Sequence, residues 1–423
     1  MTARTLPLTS SRQFTRPWIA TLTVVTLGFA ALLTSVVQQH RTQARVADRN
    51  WRAAPLVTFS TTAYSEADVR DRDIAFYAER VEQDRSSATD RLTLAGLLFT
   101  RSRTTGSVAD LARAEVLARE SVTLREQRNG QAFEVLASVL MARHAFQEAH
   151  DIAARADSLD PGTPSHLALL GEIELERGDY DAAAVHFKAA HYDGQQFTIG
   201  ARLARWYELT GHVDIARQLL SRASVNVDRR DDLPREQVAW FHYRLGELEL
   251  RVGNLRAADS AFQIALARNP DDVRALGGLA RVALARQDFA RAVEYGERGT
   301  GILLDPTTLG TVSRAYAALG DSAQSSRYAQ AMSVSAIKQP GVIHRAWGLF
   351  LLDYGTASER AEVLRRARLE LRDRKDIYGH DLLAWALHRT GHEAEARGEM
   401  TLARAQHTED AMLTAHARAI GVD

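Results

Sequence analysis

Apolar residues follow two different patterns along the 423-residue chain. From Trp18 to Val37, WIATLTVVTLGFAALLTSVV is a run of 20 residues without a charge. As a helix it would measure about 30 Å, the thickness of a bilayer's hydrocarbon core. Its Leu, Ile, Val and Phe residues each favour insertion by roughly 0.3–0.6 kcal/mol at the membrane centre. Beyond residue 66 the apolar positions instead recur three and four apart, in short blocks separated by polar tips. That spacing predicts amphipathic helices joined by tight turns.

These helical blocks repeat. Leu245, Gly246, Gly253, Ala258, Phe262 and Ala265 have the same internal spacing as Leu170, Gly171, Gly178, Ala183, Phe187 and Ala190, 75 residues earlier. Leu136, Ala137, Ala149, Ala156 and Pro161 stand one period before those, with His144 at the place of the middle glycine. Leu203, Ala204, Gly211, Ala216 and Ala223 form the unit between the two clear ones. Leu279, Ala280, Ala292 and Pro306 continue the series, as do Gly348, Gly355, Leu364 and Ala367, then Leu383, Ala384, Gly391, Ala396 and Ala403. Ser313, Tyr316 and Gly320 mark a weaker unit, where Ser325 replaces the expected alanine. The period is 33–36 residues and about eight units are expected.

Each marker has a physical reason. Gly or Ala at a helix crossing lets two axes approach closely. The glycine in ERGDY, RVGNL, LTGHV and RTGHE supplies a turn with φ above zero. A proline such as Pro161 or Pro270 ends the second helix of a unit.

On these residues the chain resembles the tetratricopeptide repeat family, in its bacterial membrane-anchored type, from about residue 86 onward. The resemblance implies an all-α, right-handed superhelical solenoid of helix–turn–helix repeats, preceded by one N-terminal transmembrane helix. Two departures stand out. The first unit, Leu94–Ser121, has about seven extra residues (SRTTGSV) expected in its turn, and the charged loop NVDRRDDLPRE delays the unit after Ala223. The expected organisation is a tail at 1–17, a membrane anchor at 18–37, a stalk at 38–65 and a capping helix at 66–85. The repeats at 86–408 follow, then a second capping helix at 409–423.

Arg4, Arg12 and Arg16 precede the apolar run, while Arg41, Arg45, Arg49 and Arg52 follow it with Asp48. The charge bias is nearly balanced. A short basic tail is the usual cytoplasmic end of a signal anchor, so the large C-terminal part is expected outside the cytoplasm, in a periplasm-like space. A cleaved signal peptide is the alternative, although TSVVQQHR lacks a small-x-small cleavage pair.

Composition mainly excludes. The 53 basic residues balance 53 acidic ones, giving no bulk attraction to nucleic acid. The absence of cysteine removes disulfides, thiolate nucleophiles and cysteine-held metals. RGTGILL at 298–304 lacks the third glycine of a dinucleotide loop and falls at a helix end. His388 and His392 flank the turn glycine Gly391, so a shared metal face is not expected. Glu172, Glu174 and Glu176 have period two, which scatters them around a helix. No catalytic residue, cofactor or metal ligand is expected.

What the resemblance implies instead is a protein-binding groove lined by the first helix of each unit. Transferred position by position, it is lined by Glu172, Glu176, Arg205, Glu208, Trp240, Tyr243, Glu247 and Arg251. It continues through Arg274, Arg281, Arg314, Arg345, Tyr378, Asp381, Trp385 and Arg389. The expected partner contacts are Arg205, Trp240, Tyr243, Arg251, Arg274, Arg281, Arg314, Arg345, Tyr378 and Trp385. Arginine captures carboxylates bidentately, and Trp or Tyr supplies anchor area. The expected role is a membrane-anchored interaction scaffold for a membrane or envelope protein, with the bilayer held through residues 18–37. A peptide-binding sensor, or a secreted scaffold if the run is cleaved, is the alternative.

Overall fold

The computed structural model describes residues 65–337 and 344–422. The tail, the apolar run at 18–37 and all of the stalk except Ser65 lie outside them. Among the described residues no helix is long and apolar enough to cross a membrane.

Twenty α-helices and no strand occur among the described residues. A lone helix α1 (Glu66–Gln83) precedes nine hairpins. These are α2–α3 (Ala88–Thr105, Val108–Leu124), α4–α5 (Gly130–Ala142, Phe146–Leu159) and α6–α7 (Pro164–Arg177, Tyr180–Ala189). Next come α8–α9 (Phe197–Leu209, Val213–Val227), α10–α11 (Arg235–Arg251, Leu255–Arg268) and α12–α13 (Val273–Ala285, Phe289–Ile302). The last three are α14–α15 (Pro306–Ala318, Ser322–Ile337), α16–α17 (Arg345–Tyr354, Ala357–Glu370) and α18–α19 (Ile377–Arg389, Glu393–Ala403). Helix α20 (Ala411–Ile420) closes the chain.

Nine hairpins stand where the spacing gave about eight units. The weakly marked unit is complete: Ser313 Oγ donates to the Ser325 carbonyl at 2.8 Å across the α14–α15 crossing. A second difference concerns the first unit. Its extra residues do not sit in the turn but extend α2 to Thr105, leaving only Gly106 and Ser107 between the helices. Ser87 and Ser107 cap the two lengthened helices, each accepting a backbone N–H three residues on.

At the hairpin tips the backbone turns left-handed, with Gly253 at φ 81° between α10 and α11. His144 (φ 59°) stands at the equivalent place between α4 and α5, and Gln287 (φ 62°) between α12 and α13. Between hairpins, the fully buried ring of Phe262 fills the space beside Gly246 and Gly278.

Most first helices pack against the first helix of the next hairpin as well as against their own partners, whereas second helices make no comparable contact with each other. The first helices therefore line the inner side of a curved array. This curvature brings distant parts of the chain together. Lys375 N donates to the Arg177 carbonyl at 3.1 Å. Ile377 N donates to Tyr180 Oη at 2.9 Å across 197 residues, and Arg374 meets Glu176 at 3.4 Å across 198. Thr408 Oγ1 donates to the Leu209 carbonyl across 199 residues. The third hairpin thus meets the ninth, one superhelical turn later. At the other end, Glu66 accepts the Arg235 N–H at 2.9 Å and Arg70 pairs with Glu236 at 3.5 Å. One hydrophobic cluster runs through both turns, joining Leu167, Phe187 and Leu209 to residues from Leu309 to Ile420.

Candidate partner-binding face

The inner face is a lattice of guanidinium groups, carboxylates and rings contributed by first helices. Glu208, near the end of α8, is met by three arginines: Arg205 at 3.1 Å, Arg251 at 2.7 Å and Arg244 at 3.2 Å. Glu247 on α10 pairs with Arg281 of α12 and lies 3.9 Å from Arg251. Asp272 caps α12 and holds Arg274 at 2.7 Å. Asp381 on α18 pairs with Arg345 of α16 and, at 2.8 Å, with His416 of α20.

Tyr378 is the meeting point of the two superhelical turns. The guanidinium carbons of Arg205 and Arg251 each lie 5.5 Å from its ring centroid, and that of Arg345 lies at 4.8 Å. Its hydroxyl donates to Asp410, the N-cap of α20, at 3.2 Å. The ring is buried, so Tyr378 organises the arginines and is not itself an open anchor.

The electrostatics follow from burial opposed by charge. Burial alone would push the Glu208 carboxyl up, but Arg205, Arg251 and Arg244 together hold it well below the usual carboxylate range. Glu247 is likewise held down by Arg281 and Arg251 against its burial, and Asp381 by Arg345 and His416. The Tyr243 hydroxyl is pushed up to about 12 by burial and by the neighbouring Glu247.

The other expected contacts divide. Tyr243 lies under Arg274 at 5.7 Å. Trp385 stacks on His416 at 4.3 Å with 9° between the planes, carries Arg389 over its ring at 5.6 Å and donates to Asp353 at 3.0 Å. Trp240 is half-buried against Phe241, centroids 4.8 Å apart, where it helps cover the α8–α10 core. Arg314 is exposed on α14. Of the early acids, Glu172 pairs with Arg202 at 2.7 Å and Glu176 with Arg374. Glu174 turns away from both, buried between His150 and His186. The RGTG sequence lies in the last turns of α13. His388 pairs with Glu393, while His392 precedes α19 and contacts Thr390. Among the described residues no group of three His, Asp or Glu is placed to hold a metal.

Several members of this lattice were not among the residues expected from sequence: Arg244, Asp410, His416 and the inter-turn residue Arg374. Each acts across a distance set by the superhelix. No local spacing announces it.

Residues 243–302, the fifth and sixth hairpins, match a family model described as tetratricopeptide repeat. This segment carries tetratricopeptide repeats. Among solved structures, a Cut9–Hcn1 hetero-tetramer of APC/C is similar at 16% identity, covering 84% of this chain and 60% of that one, with TM-score 0.49. The Pseudomonas aeruginosa pilF structure is 14% identical over 53% of this chain and 97% of that one, TM-score 0.40. Yeast Tom70 is 11% identical over 84% and 93%, TM-score 0.34. The chain spans 60% of the length of the Cut9–Hcn1 chain. At these identities and scores the likeness says nothing about partner or activity. No curated protein matches the chain.

Proposed function

We propose that this tetratricopeptide array is a protein-interaction scaffold whose partner binds the inner face. One observation carries the reading. Arginines and aromatic rings from α8 to α18 converge there on first helices, held in place by buried carboxylates. Side chains fixed in this way lose little entropy on binding, which favours a preformed recognition surface. In this reading the apolar run at 18–37 anchors the chain in a bilayer, with the repeats on the extracytoplasmic side. The partner is then a membrane or envelope protein. The uninterrupted 20-residue apolar sequence supports the anchor. The reading assigns the chain no catalytic step.

A gentle-detergent pull-down of the tagged full-length chain, identified by mass spectrometry, tests this. Arg314→Glu is the informative variant, because Arg314 is exposed and reversing it breaks no buried ion pair. A specific membrane-protein partner that is lost or much weakened in the variant is the expected result. A partner retained unchanged by Arg314→Glu and by Arg389→Glu would remove the inner face from the account.

A further inference from the structure

We propose that the inner face between α8 and α18 recognises an acidic peptide segment, because its ion pairs leave their arginine side chains partly exposed and hide their carboxylates. This inference rests on the inner face being the partner-binding face, and it names the chemistry of what binds there.

The chain is neutral overall. What matters is which half of each pair a ligand can touch. Arg205, Arg244, Arg251, Arg274, Arg281 and Arg345 keep between 14% and 28% of their side chains exposed. Their partners Glu208, Glu247, Asp272 and Asp381 keep between 0% and 6%. In every pair the acid lies behind and the base in front. Six arginines against four carboxylates, with the acids behind, therefore present a cationic surface.

The stoichiometry points the same way. Arg205, Arg244, Arg251 and Arg281 share only two carboxylates, Glu208 and Glu247. A guanidinium has five N–H donors and a carboxylate about four acceptor positions, so two acids cannot satisfy four arginines. Donors remain for a ligand. Arg103 on α2 and Arg314 on α14 are exposed residues with no ion pair among the described residues. The acids that are less deeply buried are engaged: Glu172 and Glu176 on α6 with Arg202 and Arg374, Glu236 on α10 with Arg70, and Asp353 on α16 with the Trp385 N–H.

An acidic peptide fits this surface better than a nucleic acid does. The guanidinium fork matches a carboxylate in two parallel hydrogen bonds. The arginines alternate along the face with Trp240, Tyr243 and Trp385, which suits side chains from an extended segment. The buried acids also preorganise the arginines, so ordering them is not a cost of binding.

The test is fluorescence anisotropy with the full chain in detergent and three labelled decapeptides: deca-glutamate, deca-lysine and alternating Gly-Ser. Deca-glutamate is expected to bind at least about tenfold tighter than Gly-Ser and to weaken as salt rises. Two variants locate the contact. Arg314→Gln removes an unpaired arginine without touching the core. Arg281→Gln combined with Glu247→Gln removes one pair and leaves net charge unchanged. Each is expected to weaken deca-glutamate about threefold or more, whereas Arg365→Gln on the exposed face of α17 should not. Binding of deca-glutamate no tighter than Gly-Ser overturns the inference, as does equal weakening by Arg365→Gln. If deca-glutamate fails but the protein captured in the pull-down still depends on Arg314, only the acidic chemistry falls. If that dependence is also absent, the inner-face reading falls with it.

Discussion

The ring of Phe262 lies between Gly246 of its own hairpin and Gly278 of the next, and the repeat markers take their meaning from such contacts. A Cβ at Gly246 would stand 2.5 Å from that ring, and one at Gly278 2.6 Å. Gly246→Ala and Gly278→Ala are therefore expected to destabilise the chain by about 1–3 kcal/mol each, through overpacking. Urea unfolding would show this as a lowered midpoint, partly restored when Phe262→Leu is added to either change. Costs below about 0.5 kcal/mol would mean that the ring moves freely and the packing account is wrong. Markers of this kind were legible because packing between adjacent hairpins repeats with the period of the sequence. The role of Glu208 was not. Its position within the unit placed it in the groove, but nothing in the sequence gave it three arginines drawn from 3, 36 and 43 residues away.

At the scale of helices and turns, the glycine tips such as Gly178, Gly211, Gly253 and Gly391 are legible in the sequence and all turn left-handed. His144 was recognised as a substitute for the turn glycine, and its φ of 59° agrees. Gln287 takes the same conformation at 62°, and only strict alignment of RQDF with the other tips would have found it. The insertion SRTTGSV was misplaced because its Thr and Ser residues read as loop. In the structure Thr104 and Thr105 instead donate to carbonyls one turn back, so the helix simply continues. Capping across the superhelix lies further from view. Helix α10 follows Pro234, which offers no side-chain cap, and Glu66 accepts its first N–H from 169 residues away. Tertiary structure supplies here what local sequence omits.

At the scale of the whole repeat unit, the array closes on itself through its backbone. A Cβ at Gly178 would collide with the Lys375 carbonyl, and one at Gly211 would stand 2.6 Å from the His407 carbonyl. Gly253 and Gly391 share the same left-handed conformation, yet a Cβ there meets nothing within 4 Å. Alanine should cost about 1–2 kcal/mol at all four for its φ alone. Only Gly178→Ala and Gly211→Ala should also separate the turns, seen as a larger radius of gyration in X-ray scattering and faster amide exchange at Lys375 and Ile377. Equal behaviour of all four would contradict the closed superhelix. A contact period of 197–199 residues leaves no trace in a 33–36-residue pattern. The fold was thus readable from its repeat, whereas the convergence of Arg205, Arg251 and Arg345 on Tyr378 was not. The central claim is that the partner lies on this inner face, and site-specific photo-crosslinking tests it most directly. A benzophenone amino acid would be placed at Trp240 or Arg314 on first helices, and at Val185 or Val334, which are 65% and 62% exposed on second helices. Crosslinks to the captured partner from Trp240 and Arg314 but not from Val185 or Val334 are the predicted result. Crosslinks from Val185 or Val334 alone would place the partner on the outer surface and contradict the account.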